Sequence, residues 1–216
     1  MQQSDRTPLR PEKTLIYSCA TTYDEYETDS IRRDFLEIRR REIRILPEEQ
    51  AYFTTYPDPV HWLVIATDDS PDSLAVLPVL AHVAALVPRL SLRVVREDEA
   101  AQLLAVLADD QGLLASWAEA DLPLLLSFDE EWHFQESWGP HPQAIEPLLD
   151  QWIAEHPEYE SLAEDESLIG QAAYALLLEQ LLHEVRLWYN SSLNKACAEE
   201  LCALLARCHD ESIDEE

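Results

Sequence analysis

The chain has 216 residues, with 43 aspartates and glutamates against 15 lysines and arginines, giving a formal charge of −28. A hydrophobic fraction of 47% is enough to build a sizeable core, which excludes global disorder. The charge excludes binding to nucleic-acid phosphates, because backbone contact needs a cationic surface. No apolar run reaches the ~18 residues that a membrane span requires. Met1-Gln2-Gln3-Ser4-Asp5-Arg6 is followed by no apolar segment, so the expectation is a cytoplasmic protein without a signal peptide or membrane contact.

Lys13 and Lys195 are the only lysines; the other cations are arginines. Two readings account for this. A carboxylate-rich, lysine-poor surface suits a salt-rich cytoplasm, where a short Debye length screens self-repulsion. A GC-rich genome, which favours arginine codons, gives the same bias.

Cys19 stands alone near the N-terminus, while Cys197, Cys202 and Cys208 lie together near the C-terminus. A zinc site needs pairs two to four residues apart. On a helix, Cys197 and Cys208 share a face but sit ~16 Å apart along the axis, and Cys202 points about 140° away. No metal is expected there. Leu193, Cys197, Leu201, Leu204 and Cys208 instead form the apolar stripe of an amphipathic helix, with the two cysteines as buried small hydrophobes.

In chain order, residues 1–28 have no convincing periodicity and read as a flexible or loosely docked N-terminal arm. A helix is predicted from Asp29, with Ile31, Phe35, Ile38 and Ile45 on one side and Arg32, Arg33, Arg39, Arg40 and Arg41 on the other. A solvated face paired with nearby carboxylates accounts for these arginines better than a binding patch. His61–Ala66 reads as an apolar strand, followed by turn residues Thr67–Pro71 and a helix from Pro71 to about Val87. Next come a strand at Leu90–Val95, a helix at Glu97–Ala108 and a loop containing Gly112. A hairpin of Leu124–Phe128 and Trp132–Ser137 turns at Asp129-Glu130. A helix runs from Pro142 to about Ala154. The remainder is helical, with Tyr174, Leu178, Leu181, Val185 and Trp188 alternating by four and three before a short turn at Asn190-Ser191-Ser192. The expected organisation is an arm (1–28), an α/β domain with an N-terminal helix (29–156), a C-terminal helical extension packed on it (157–208) and an acidic tail (209–216).

Strand–helix–strand–helix–strand–strand–helix implies a parallel pair plus an antiparallel hairpin, a central mixed sheet with helices on both faces. This order resembles the thioredoxin-like fold. The local words are similar to a bacterial thioredoxin-family branch that carries W-L-V-I-T, W-C-G-D-A, a strand ending in R-D, S-I-P, W-G-P-R-P and a late W-Y. Here they read Trp62-Leu63-Val64-Ile65-Ala66, Asp69-Ser70-Pro71-Asp72-Ser73, Arg96-Glu97-Asp98, Asp121-Leu122-Pro123, Trp138-Gly139-Pro140-His141-Pro142 and Trp188-Tyr189. Pro78 falls where the active-site helix of a thioredoxin carries its kinking proline.

The departure is at the nucleophile. In a thioredoxin, the first cysteine of C-x-x-C sits at a helix N-terminus, whose free N–H groups and dipole stabilise the attacking thiolate. In this sequence that position is Ser70, and the partner three residues on is Ser73. A serine oxygen cannot form the mixed disulfide, so thiol–disulfide exchange at Asp69-Ser70-Pro71-Asp72-Ser73 is chemically excluded. What the residues do specify is a helix start: Ser70 as N-cap, Pro71 at the first helical position and Asp72 at the positive end of the dipole. Asp68, Asp69 and Asp72 would need more ligands than the sequence supplies to hold a hard cation. A Ser-His-Asp hydrolase would want a Gly-x-Ser-x-Gly elbow, which is absent. No cofactor is expected.

By resemblance, Pro123 is cis and faces the start of this helix. Leu122 and Pro123 then either retain a peptide-docking edge beside Ser70 or only turn the chain into its strand. The resemblance implies a redox-inactive binding or assembly module with a protein or peptide partner. Two alternatives stand beside it. One is an oxidoreductase using a displaced thiol such as Cys19; the other is an acidic decoy that mimics a nucleic acid.

Overall fold

The computed structural model describes residues 11–108 and 111–214. Four strands, β1 (Val60–Ala66), β2 (Leu90–Arg96), β3 (Leu124–Phe128) and β4 (Phe134–Trp138), form one sheet in the order β2-β1-β3-β4. β1 and β2 are parallel, from Val60 opposite Leu90 to Ala66 opposite Arg96, whereas β1/β3 and β3/β4 are antiparallel. The α/β class and the mixed sheet agree with the sequence expectation.

β1 is apolar almost throughout because both of its faces are covered. Its alternate side chains sort into two cores. Trp62, Val64 and Ala66 join Val94 and Leu125 on one face. Leu63 and Ile65 join Val95, Leu124, Leu126 and Phe128 on the other. The first core holds α5 (Pro71–Leu86), whose Leu74, Leu77 and Leu80 are fully buried, each such burial contributing about 1.5–3 kcal/mol. Around it pack α2 (Tyr23–Asp29), α3 (Arg33–Glu42) and α4 (Pro47–Thr55). α8 (Glu146–Glu155), α10 (Leu168–Trp188) and α11 (Asn194–Asp214) complete that layer. The second core holds α1 (Pro11–Cys19), α6 (Ala100–Leu107) and α7 (Gln111–Ala118). A short α9 (Tyr159–Ala163) precedes α10.

Several expectations are corrected. The loose arm over residues 1–28 is, for residues 11–28, two docked helices; residues 1–10 lie outside the described residues. Tyr17 is buried and donates its hydroxyl to the Trp62 and Ser91 carbonyls at 3.0 and 2.8 Å. Lys13 is buried too, its ammonium donating to the carbonyls of Leu107 and Trp132. α2 opens with a reciprocal cap between Thr22 and Glu25 and buries Tyr23 and Tyr26. Helices this short depend on tertiary packing, which periodicity does not report.

α3 begins at Arg33 rather than Asp29 and is turned from its expected orientation. Its inward residues are Leu36 and Arg39, while Ile31 is 79% exposed. Arg33 and Arg41 pair with Glu37, and Arg40 with Asp24 and Glu27, as a carboxylate-paired face would. Arg39, in contrast, is fully buried. The expected loop around Gly112 is α7. The expected turn at Asn190-Ser191-Ser192 is a π-helical segment, Tyr189–Leu193, through which the chain stays helical from α10 into α11. The described part of the acidic tail continues α11, with His209 bonded to Asp58. Cys197 and Cys208 are buried, as the apolar stripe implies. Among the described residues no helix is long and apolar enough to cross a membrane.

Candidate functional site

β1 ends at Ala66, and the turn that follows delivers Ser70 to the start of α5. The Ser70 hydroxyl accepts from the Ser73 backbone N–H at 3.2 Å, satisfying one of the free donors at the helix start. It also donates to the Leu122 carbonyl at 3.1 Å. Pro71 takes the first helical turn, where its missing N–H costs nothing. Ser73 is fully buried, and its hydroxyl accepts from the Thr67 N–H at 3.3 Å, so it pins the β1–α5 turn. Asp69 is exposed.

The Leu122–Pro123 bond is cis, and so is Gly139–Pro140. Gly139 has φ of +135°, and a Cβ there would lie 2.1 Å from the Pro123 carbonyl oxygen, so only glycine lets the two proline turns meet. His141, just beyond, brings Nδ1 to 3.2 Å from Asp72 Oδ2, the distance of an ion pair. Burial alone would lower the histidine pKa. The Asp72 carboxylate, with Glu146 and Asp121, more than offsets this and raises it. Three segments far apart in sequence therefore meet at one end of the sheet: Ser70–Ser73, Leu122-Pro123 and Gly139–His141. The Trp138 indole N–H and the Gln143 N–H both donate to Glu200, tying the second proline turn to α11.

Asp68, which the sequence offers only as a cation ligand, underlies the site. Its carboxylate accepts from the Tyr26 and Ser30 hydroxyls at 2.8 Å each, from the Ile31 N–H at 3.2 Å and from Arg96 at 3.0 Å. Burial would raise its pKa, but these donors hold it below the usual carboxylate range. The Arg96 guanidinium also lies 4.5 Å from the Tyr26 ring centroid. Those oxygens are committed to joining α2 and α3 to the sheet. Among the described residues, no group of three or more His, Cys, Asp or Glu is placed to hold a metal.

Behind α5 lies Arg39. Its guanidinium donates to the Asn190 and Asn194 side-chain oxygens at 3.0 Å and to the Ala75 carbonyl at 3.4 Å. It also lies over the Tyr189 ring. Pro78 supplies no N–H to the helix ladder, so the Leu74 carbonyl lacks its i+4 donor, and Arg39 donates to the Ala75 carbonyl next to it.

The thiols lie elsewhere. Cys197 is wholly buried and burial pushes its thiol pKa far up, while Cys202 is raised to about 11. Cys19 is exposed at the end of α1. Thr21, two residues on, pairs with Val94 on the outer edge of β2. In the order β2-β1-β3-β4 that edge is two strand spacings, roughly 10 Å, from β3, the strand that Leu122-Pro123 leads into.

The strand order, the proline-containing helix and the cis-proline turn facing its N-terminus define a thioredoxin-type α/β domain. The thioredoxin family profile matches residues 19–153, and the chain belongs to that family. Two solved structures share the fold. A protein of unknown function from Pseudomonas aeruginosa is 16% identical with a TM-score of 0.54, covering 79% of this chain and 92% of its own. An HIV epitope-scaffold protein is 15% identical with a TM-score of 0.58, covering 91% of this chain and 97% of its own. No curated protein matches.

His141 and Arg39 escaped the sequence reading as site residues. The one signal for His141 was its place in Trp138-Gly139-Pro140-His141-Pro142, where the resembling branch has arginine. Arg39 had none, because a buried arginine on an arginine-rich helix has the same local pattern as an exposed one.

Proposed function

We propose that the protein is a non-catalytic member of its family, a module that binds an extended protein or peptide segment along Leu122-Pro123 beside Ser70. The observation that carries the reading is the hydrogen bond from Ser70 to the Leu122 carbonyl. The helix start and the proline turn are assembled as in a thiol-exchanging site, yet the atom between them is an oxygen that forms neither thiolate nor disulfide. The edge beside it can pair with an incoming strand by main-chain hydrogen bonds. Asp69, Ser70, Pro71 and Asp72 then form the wall of a docking site, with Ser73 buried beneath them and the carboxylates favouring a partner that is not itself acidic. A cytoplasmic setting accords with Cys19, Cys197 and Cys202 standing as free thiols.

The test has two arms. The full-length protein is assayed for insulin disulfide reduction, with no activity above buffer expected; turnover overturns the non-catalytic reading. Its binding to an array of extended peptides is then compared with that of Ser70→Tyr, whose ring covers Leu122. Loss of the bound peptides is expected, with the melting temperature lowered only by the few degrees that the lost helix cap costs. Their retention overturns the docking edge.

A further inference from the structure

We propose that the outward face of α10 is a docking surface for a cationic amphipathic helix of a partner protein. α10 is apolar on two sides. Its inner side, Leu178, Leu181, Leu182 and Val185, is buried in the first core. Its outer side carries Leu168 at 86% exposure, Ile169 at 84%, Leu176 at 69% and Leu187 at 47%. With the exposed Ala172, Leu168, Ile169 and Leu176 fall within about 100° of arc and form one apolar stripe along the first half of the helix, while Glu179, His183 and Arg186 on the same arc separate it from Leu187. An exposed contiguous apolar patch marks an interaction surface.

Charge decides the occupant. The chain has no lysine or arginine between Arg96 and Arg186, a stretch dense in Asp and Glu. Around the stripe, Glu164, Asp165 and Glu166 stand exposed at its head. Gly170 leaves room for the Asp165 side chain to fold against the first turn of the helix, where any Cβ would collide with it. Glu179 lies on the same arc and contacts Arg32. A second copy of a chain with charge −28 meets like charges along this rim. An anionic lipid surface does the same. A helix with leucine-type residues at i, i+3, i+4 and i+7, flanked by lysine and arginine, matches both the stripe and its border. This surface is distinct from the Ser70–Pro123 edge and does not depend on it.

The experiment uses the full-length protein and an 18-residue synthetic peptide with a leucine face and Lys/Arg flanks. Its control is a scramble of the same composition, which carries equal charge but no apolar face. Fluorescence anisotropy is expected to give the amphipathic peptide at least about tenfold tighter binding than the scramble. Ile169→Ser/Leu176→Ser, which leaves charge unchanged at two solvent-exposed positions, is expected to abolish that difference at unaltered melting temperature. Leu168→Ser should reduce it. Equal affinity for both peptides, or a preference indifferent to the serines, overturns the proposal. So does a wild-type dimer in sedimentation that the serines dissociate, or flotation with phosphatidylserine vesicles that the serines prevent.

Discussion

Replacing Asp68 by alanine removes one carboxylate that four donors share, and the cost can be worked from their surroundings. The side chain is about 10% exposed, and the Tyr26 and Ser30 hydroxyls that donate to it are buried. Hydrogen bonds to a charged group contribute about 1.5–3 kcal/mol each. Arg96 is 31% exposed and can turn to water, so its share is closer to the ~1 kcal/mol of an accessible ion pair. Counting the two buried hydroxyls at the low end of that range, with Arg96, gives about 4 kcal/mol, within the 3–5 kcal/mol range for breaking a buried pair. For a chain of this size it corresponds to a fall in Tm of roughly 8–16 °C. The pH dependence has a definite sign. The folded-state pKa of Asp68 lies below its unfolded value, so the stabilisation is complete above the unfolded pKa and disappears as pH falls through the folded one. Thermal melts of the wild type and Asp68→Ala at pH 7 and near pH 3 should therefore converge on acidification. Hydrogen exchange in α2 should accelerate in the variant. A loss below 1 kcal/mol at pH 7 would refute the assignment of Asp68 as the anchor of the N-terminal helices.

Other expectations follow from the same geometry. Glu42 is pushed down to about 2 by hydrogen bonds from Arg186, then Asn190, so Glu42→Gln should cost about 1 kcal/mol near neutral pH, a partly exposed pair being screened by water. That difference, measured by urea unfolding, should vanish between the ordinary carboxylate pKa and pH 2. Arg39→Ala should cost about 3 kcal/mol by leaving Asn190, Asn194 and the Ala75 carbonyl without their donor. Arg39→Lys should recover less than half of this, because an ammonium cannot reproduce the planar fork; equal stability of the lysine variant and the wild type would count against the fork. In an NMR titration, His141 should show a pKa above the usual histidine value, and Asp72→Asn should bring it below that value. The pair's stabilisation is complete below the unfolded pKa and fades as pH rises through the folded one.

Much of the site was legible because its signals are local. Ser70 and Pro71 announce a helix start through the donors they satisfy or lack. The continuous apolar run of β1 announces a strand covered on both faces. Cys197 and Cys208 announced their burial by falling on an apolar helical stripe. What stayed hidden depends on partners distant in sequence. Tyr17 and Tyr26 become core residues only when the Trp62 carbonyl and Asp68 arrive to receive their hydroxyls. Arg39 is core only because two asparagines and an aromatic ring from the far end of the chain surround it. His141 pairs with Asp72 because Gly139 lets one proline turn lie on the other. The turn expected at residues 190–192 failed for a related reason: Asn and Ser favour turns locally, but Asn190 here serves Arg39 and Glu42 from within a helix.

The π-helical segment between α10 and α11 bears on where this molecule can be cut. Asn190 lies within it and Asn194 immediately after it, and both grip Arg39, which in turn holds α5 close to Ser70. A chain truncated after residue 153, where the family match stops, would strand a cation in an apolar interior and strip Leu181, Val185, Leu201 and Leu204 from the main core. The homologous segment and the smallest self-sufficient folding unit are thus different lengths, the latter extending into α11.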